Sequence, residues 1–248
     1  MSEEKESKAP RKPEKPARSK LERRSKKYRD ATKLIEKDKE YSAKDALELA
    51  IKTSTVKFDA TVELHVNLDV DPKQADQNIR GTVTLPSGSG KTVRVAVFVE
   101  ADKVAEAKKA GADIAGIEEI VKLLDKESMD FDVLISPPTL MSQLGKYARL
   151  LGPRGLMPNP KSGTVTTDIK KAITEAKAGR VEYRVDSTGI VHLGIGKVSF
   201  GADKLVPNAE AVLGAIRSAK PASLKGNYVK SVYVTSTMGP SVRLSTTI

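Results

Sequence analysis

From Lys57 to Leu68 the chain alternates strictly: Phe58, Ala60, Val62, Leu64, Val66 and Leu68 are apolar, and Lys57, Asp59, Thr61, Glu63, His65 and Asn67 lie between them. A period of two predicts a half-buried strand with one polar face. Ahead of it Ala46, Leu47, Ala50 and Ile51 share one helical face, and Ser42 followed by Asp45 has the spacing of a capping box with Asp in place of Glu. GTVTLP at 81–86 reads as a second strand, closed by Pro86 and the glycines of SGSG.

The character then changes. VRVAVFVE is almost wholly apolar, ADKVAEAKKAG is a helix with Gly111 as its stop, IEEIVKLLDKE is another helix, and FDVLISP is a second buried strand. Buried strands alternating with helices predict parallel βαβ construction with both sheet faces covered. DIKKAITEAKAG is a helix ended by Gly179, after which alternating strands return in RVEYRVD, TGIVHLGIGKVS and YVKSVYVTST. A helix carrying Leu205, Ala209, Val212, Leu213 and Ile216 separates the last two. The ends of the chain share α+β character and the middle does not, which fits either one domain nested in another or two domains in sequence.

Charge adds a third region. Residues 1–29 hold twelve Lys/Arg against five Glu, a net +7 out of +11 for all 248 residues. With three prolines and no large apolar residue between Met1 and Leu21, this tail has too little to bury to offset the entropy of ordering it, and it is expected to be disordered. It lacks the apolar core of a secretory signal, and its glutamates argue against a transit peptide. It reads as a solubilising tail or as an arm for RNA phosphates or neighbouring proteins. Cysteine is absent and histidine is limited to His65 and His192, which excludes disulfides and thiolate chemistry and leaves no metal-ligand spacing. No apolar run is long enough for a membrane span.

Catalytic signals are weak. Ser87 to Thr92, SGSGKT, is close to a P-loop, but Leu85 stands where the first glycine is required and a strand rather than a helix follows. No carboxylate pair or nucleophile motif emerges, so no catalytic residue, metal or cofactor is expected. Binding signals are stronger. Lys57, Thr61, Glu63 and His65 on the first strand, with Ser231, Tyr233, Thr235 and Thr237 on the last, make a hydroxyl-rich polar platform if the strands share a sheet face. Such a platform suits phosphate, ribose and base-edge contacts, although a solvated sheet face has the same pattern.

The most individual segment is QLGKYARLLGPRGLMPNPKSGTV, Gln143 to Val165. In its core LLGPRGLMPNPK, Gly152, Pro153, Gly155, Pro158 and Pro160 are unsuited to a helix or a central strand, so an ordered loop is expected there, with Arg154 and Lys161 as its charges and Leu156 and Met157 as its apolar anchor. This loop resembles the signature of the large-subunit ribosomal protein L1 family, bacterial or organellar type. DQNIRGTVTLPSGSGK, KFDATVELHVNL and VYVTSTMGPSVR resemble other parts of that family in the same order, so that the likeness runs over about residues 28–245.

The resemblance implies the nested plan: a discontinuous α+β RNA-binding domain at 30–88 and 180–248 and an inserted three-layer Rossmann-like α/β domain at 89–179, after the 1–29 tail. Gly88, Gly90 and Gly179 would lie at the hinge crossings. It also implies RNA contacts from Lys57, Phe58 and Glu63, from the turn at Asp186 and Thr188, and from Ser231, Ser236, Thr237, Met238 and Gly239. Ser187 departs from the family, where lysine is frequent. Phe58 is in tension, because alternation assigns it to the core and the resemblance to RNA. Thr237 and Met238 are expected to tolerate alanine without loss of fold, as turn residues.

The partners so implied are 23S rRNA, where the protein would form a mobile stalk, deacylated tRNA in the exit site, and the messenger of its own operon. The protein would be monomeric when free and ribosome-associated, in a bacterial cytosol or a plastid stroma. Two other readings stay open at this stage: an enzyme using the Rossmann-like part, disfavoured by the missing glycine fingerprint after VRVAVFV, and a translational repressor that never enters ribosomes.

Overall fold

Capping and periodicity set the elements of the computed structural model, which describes residues 19, 21–36, 39–222, 224 and 226–245. Helices α1 (Lys26–Lys33) and α2 (Ala43–Lys52) precede strands β1 (Thr61–Leu68) and β2 (Arg80–Thr84). The middle supplies β3 (Val95–Val97), α3 (Ala101–Lys109), β4 (Ile114–Ala115), α4 (Ile117–Asp125), β5 (Val133–Ile135), the short α5 (Met141–Leu144) and α6 (Ala148–Leu151), and α7 (Ile169–Lys177). Then follow β6 (Arg180–Arg184), β7 (Ile190–Lys197), α8 (Gly201–Ser218), β8 (Val229–Ser236) and β9 (Val242–Leu244).

The expected tail needs correction at its end. Residues 26–29 are helical, because Ser25 caps α1 by accepting the Tyr28 N–H at 3.3 Å and Ala31 is buried. Residues 1–18 and 20 of the expected disordered tail lie outside the described residues. The α2 cap is half a capping box: Ser42 Oγ accepts the Asp45 N–H at 3.3 Å, but the Asp45 carboxylate takes the Ser42 hydroxyl at 2.8 Å. Asp is one methylene shorter than Glu, and the reciprocal bond to the Ser42 N–H is not made.

The principal sheet is antiparallel in the order β7-β1-β8-β9. Val62, Leu64, Val66 and Leu68 of β1 and Val232 and Val234 of β8 face inward, where α2 brings Ala46, Leu47 and Ala50 and α8 brings Leu205, Ala209, Val212 and Ile216. β2 does not join this sheet but pairs antiparallel with β6 as a two-stranded ribbon over the same core. The parallel sheet β4-β3-β5 stands apart in composition. Val95, Val97 and Val99 face Ile169, Ala172 and Ile173, whereas Ala96 and Phe98 face Ile120, Leu124, Leu144 and Leu151. Both faces are covered, which is why this run is continuously apolar. Mixed antiparallel and parallel layers give the two-part α/β and α+β architecture that the alternation implied.

The chain passes between these parts near Gly88 and again near Gly179, and the two passages touch. Gly179 has φ 93°, and a Cβ there would stand 2.9 Å from Gly88 Cα and from Ser89 N. Only glycine fits that approach. Asn208 of α8, fully buried, ties the first passage down: its Oδ1 accepts the Ser87 N–H at 2.9 Å, and its Nδ2 donates to Gly88 O at 3.0 Å and Ile195 O at 2.7 Å. On the far side the Arg180 guanidinium bonds Glu175 at 2.7 Å and Thr82 Oγ1 at 3.2 Å and lies against Gly163, where a Cβ would displace it.

Asn208→Ala should therefore lower stability by about 2–3 kcal/mol, since several backbone groups around the passage lose their partner while buried. Urea unfolding of the variant against the parent chain measures this, and an unchanged midpoint would contradict the assigned role.

Candidate nucleic-acid interface

Sealing one face of the principal sheet leaves the other to the polar set. Cross-strand pairing sets these residues in rows: His192, His65, Tyr233 and Arg243 cross all four strands, and Glu63 pairs with Thr235 and Asn67 with Ser231. The expected platform is thus assembled by β1 and β8, and Glu63 and Ser231 lie half-buried on it. Its β8–β9 side is bordered by α1, because Tyr28, Thr32 and Ile35 share a recess with Tyr233, Pro240 and Arg243.

The upper end of β8 is fastened to β1. Thr237 N–H donates to Thr61 O at 2.9 Å, and the Thr237 hydroxyl accepts the Thr61 N–H at 3.1 Å and stands 3.2 Å from Thr61 O. Thr237 is therefore a clasp within the fold, which overturns the expectation that alanine there is structurally neutral. Met238 follows in left-handed backbone, φ 66°, and is 74% exposed. A non-glycine residue in that region is uncommon and costs about 1 kcal/mol or more, which marks the turn as a place to look for function. Gly239 is required by closeness, since a Cβ there would collide with the Ser236 side chain. Ser236 itself is 1% exposed and faces inward, with its hydroxyl unpartnered among the described residues, so the expected RNA contact is not offered at the surface.

Lys57 and Phe58 precede β1 rather than belonging to it. The ladder starts at Thr61, alternation does not reach Phe58, and the ring is 60% exposed, so its expected place in the core is wrong. Among the described residues the exposed large hydrophobics are Leu21, Leu34, Phe58 and Met238. Two of these flank the Thr61–Thr237 clasp.

At the other end of the sheet, Asp186 closes the β6–β7 hairpin. Its carboxylate accepts the N–H groups of Thr188 and Ile190, each at 2.8 Å, and the Thr188 hydroxyl. The Ile190 N–H, against partial desolvation, lowers its pKa to about 2, with Thr188 and His192 adding to the effect. Ser187 and Thr188 are exposed at the tip. His192 reaches from this hairpin to His65, with Nδ1 atoms 2.8 Å apart, while Glu63 lies 3.7 Å from His65 Nε2 and Asp186 lies 3.5 Å from His192 Nε2. Burial, and next the charge of His192, hold the His65 pKa below the usual imidazole value against the pull of Glu63. Beside these, the platform carries hydroxyl and phenol groups, Glu63 and Arg243, with Lys57 and Lys197 near its end, where the Lys197 ammonium donates to Thr61 Oγ1 at 2.9 Å.

The signature loop lies elsewhere, on the parallel-sheet part. Leu156 and Met157 pack against Leu151 and its neighbours, as their apolar character implied, and Pro158 is buried. Gly152, Pro153, Arg154 and Gly155 are exposed in a turn, with Gly155 at φ 70°. A recess of about 200 Å³ between this loop and the β2–β6 ribbon, lined by Thr82, Asp132, Met157, Gly163 and Arg180, is smaller than the roughly 300–1,000 Å³ of typical small-molecule pockets. Gly88 and Gly90, at φ 75° and 72°, lie at the first passage between the parts. No cluster of three His, Asp or Glu side chains suited to a metal ion occurs among the described residues.

Sequence reasoning missed the Asn208 tether, the His65–His192 pair and the wall that α1 builds beside the turn. Asn208 alone left a trace, as a polar residue within the apolar stripe of Leu205, Ala209 and Val212.

Residues 48–240 match the family model of the ribosomal protein L1p/L10e family, well over half of the chain. The match takes in the platform strands β1, β7 and β8, the Thr237–Gly239 turn and the whole parallel-sheet part, and leaves α1 and β9 outside it.

Two acid windows follow from the hairpin and the histidine pair. His65 is depressed in the fold, so the unfolded chain binds the extra proton first, and stability falls as pH drops below about 6.5. Asp186 is also depressed, so its contribution is full above about pH 4 and is lost as pH falls through about 2. Thermal melts against pH should show the upper slope removed by His65→Gln and the lower one by Asp186→Asn.

Proposed function

The chain belongs to the ribosomal protein L1p/L10e family, and within that family we propose that it holds 23S-type rRNA against the polar face of β7-β1-β8-β9 and the turn above it. Membership makes it a structural constituent of the ribosome that binds rRNA, in a family of RNA-binding proteins rather than enzymes. No helix among the described residues is long and apolar enough to cross a membrane.

The observation that carries the proposed site is the pairing of exposed apolar side chains with a fixed backbone. Phe58 and Met238 stand in water beside the Thr61–Thr237 clasp, where burial in the core would have been the ordinary fate of both. Unstacked bases and ribose edges are what such a surface accepts, with Lys57 for a phosphate and the Thr235 and Ser231 row for hydroxyl contacts. Glu63, Asp186 and Thr188 border the same face, and Gly239 lets the turn close over buried Ser236. Without a lysine at Ser187, the hairpin tip makes one phosphate contact fewer, roughly 0.9 in the salt slope for a duplex-like site.

In this reading the parts at 30–88 with 180–248 and at 89–179 are separate domains, and Gly88, Gly90 and Gly179 are the hinge that lets the second domain move. The signature loop from Gly152 to Pro158 then lies on the moving domain. The rRNA-bound protein forms a mobile stalk that meets deacylated tRNA leaving the exit site. The same surface binds a similar fold in the protein's own messenger and represses its translation. The protein works as a ribosome-associated monomer.

The test is a titration of the full chain with the stalk segment of large-subunit rRNA against a scrambled RNA of equal length. Phe58→Ala should weaken specific binding by roughly 1–3 kcal/mol, the range for loss of a stacked base, and Met238→Ala should weaken it in the same direction with the fold intact. Equal affinity for both RNAs, or no effect of either variant, would remove this surface from the site.

A further inference from the structure

The Thr237–Gly239 turn forms one wall of a cleft whose other wall lies outside the family match. Thr55, Val56, Met238 and Gly239 face Arg23, Arg24, Ser25 and Tyr28 across a space of about 540 Å³. The second wall has a local cause. Ser25 caps α1, which fixes where the helix begins and brings the two preceding arginines to the mouth of the cleft. The Arg24 guanidinium lies 5.3 Å from the centre of the Tyr28 ring, so a planar cation and an aromatic ring are layered at this wall.

Charge and size point the same way. Among the described residues the cleft lining includes two arginines and no carboxylate, and exposed Lys26 and Lys27 follow on the helix. The volume falls within the range of sites that hold a nucleotide-sized group, and the exposed Met238 side chain gives the floor an apolar surface beside the cations. Lys57 and Phe58 continue directly from Val56, so the cleft runs on into the platform.

We propose that Arg23, Arg24 and Tyr28 form a second RNA-contacting element that extends the interface beyond the family's matched region. A strand of RNA leaving the Thr237–Gly239 turn enters this cleft. The two arginines take successive phosphates, and one base or ribose lies between Tyr28 and Met238. The proposal rests on the reading of the platform as an rRNA site, and it assigns to the basic N-terminal segment a fixed contact, distinct from diffuse attraction by a charged tail.

The experiment is a salt-dependent titration of full-length chain with the rRNA stalk segment, comparing the parent, Arg23→Gln/Arg24→Gln and Lys26→Gln/Lys27→Gln, with circular dichroism to verify the fold. Removing two phosphate contacts should lower the salt slope by about 1.4–1.8 and weaken binding at 0.1 M salt by roughly tenfold or more. The lysine pair removes the same charge from outside the cleft lining and should have a clearly smaller effect. Arg23→Lys/Arg24→Lys should restore most of the slope. Equal effects of the two neutral pairs would overturn the proposal by showing unlocalised attraction. Unchanged slope and affinity in the arginine variant, with the parent still preferring the stalk RNA, would overturn it and leave the platform reading standing. In that case, a loss confined to incorporation into ribosomal particles would assign the cleft to a protein neighbour. A parent chain that does not distinguish stalk from scrambled RNA would overturn both.

Discussion

One-sided burial of the β7-β1-β8-β9 sheet is the constraint on which the remaining features depend. α2 and α8 together cover a single face, and half-buried positions alternate with buried ones along all eight residues of β1 and from Ser231 to Ser236 in β8. With a period of two, a polar residue admitted to the inner face would lack partners, so the outer face is where hydroxyls, the histidine pair and the ammonium groups gather. Register then does the fine placement. Opposing Glu63 to Thr235 and His65 to both Tyr233 and His192 turns a polar pattern along the sequence into rows across four strands.

The same sheet supports the connection to the parallel-sheet part. Asn208 projects from α8, the helix that seals the sheet, and uses its amide to hold Ser87, Gly88 and Ile195 at the first passage. Close contact between Gly88 and Gly179 brings the outgoing and returning chains together, so any relative motion of the two parts pivots on a few bonds. Arg180, bonded to Glu175 and Thr82 beside Gly163, adds a second contact that opening would have to break. In the proposed reading this junction is the hinge between the part that holds RNA and the part that is presented.

Much of the architecture was legible in the amino-acid pattern, since strand alternation and βαβ runs report burial directly. The nested connectivity was not, because periodicity says nothing about which strand pairs with which. It came from the family resemblance. Ser236 and Phe58 show where each kind of reasoning holds. Ser236 lies within the ladder opposite Val62, and period two correctly assigns it inward, although the resemblance had suggested an RNA contact. Phe58 lies ahead of the first ladder pair, where alternation has no basis, and here the resemblance identified an exposed ring. The clasp formed by Thr237, and the approach of the Arg23–Tyr28 wall to the turn, depend on long-range contact that no local spacing encodes.

Hydrogen exchange of the full chain with and without the rRNA stalk segment tests the central claim most directly. The account predicts new protection in residues 55–63, 186–190 and 235–239 and little change within 101–177, where the parallel sheet carries its own cores. Protection concentrated in the parallel-sheet part, with the turn and the platform strands unchanged, would contradict it.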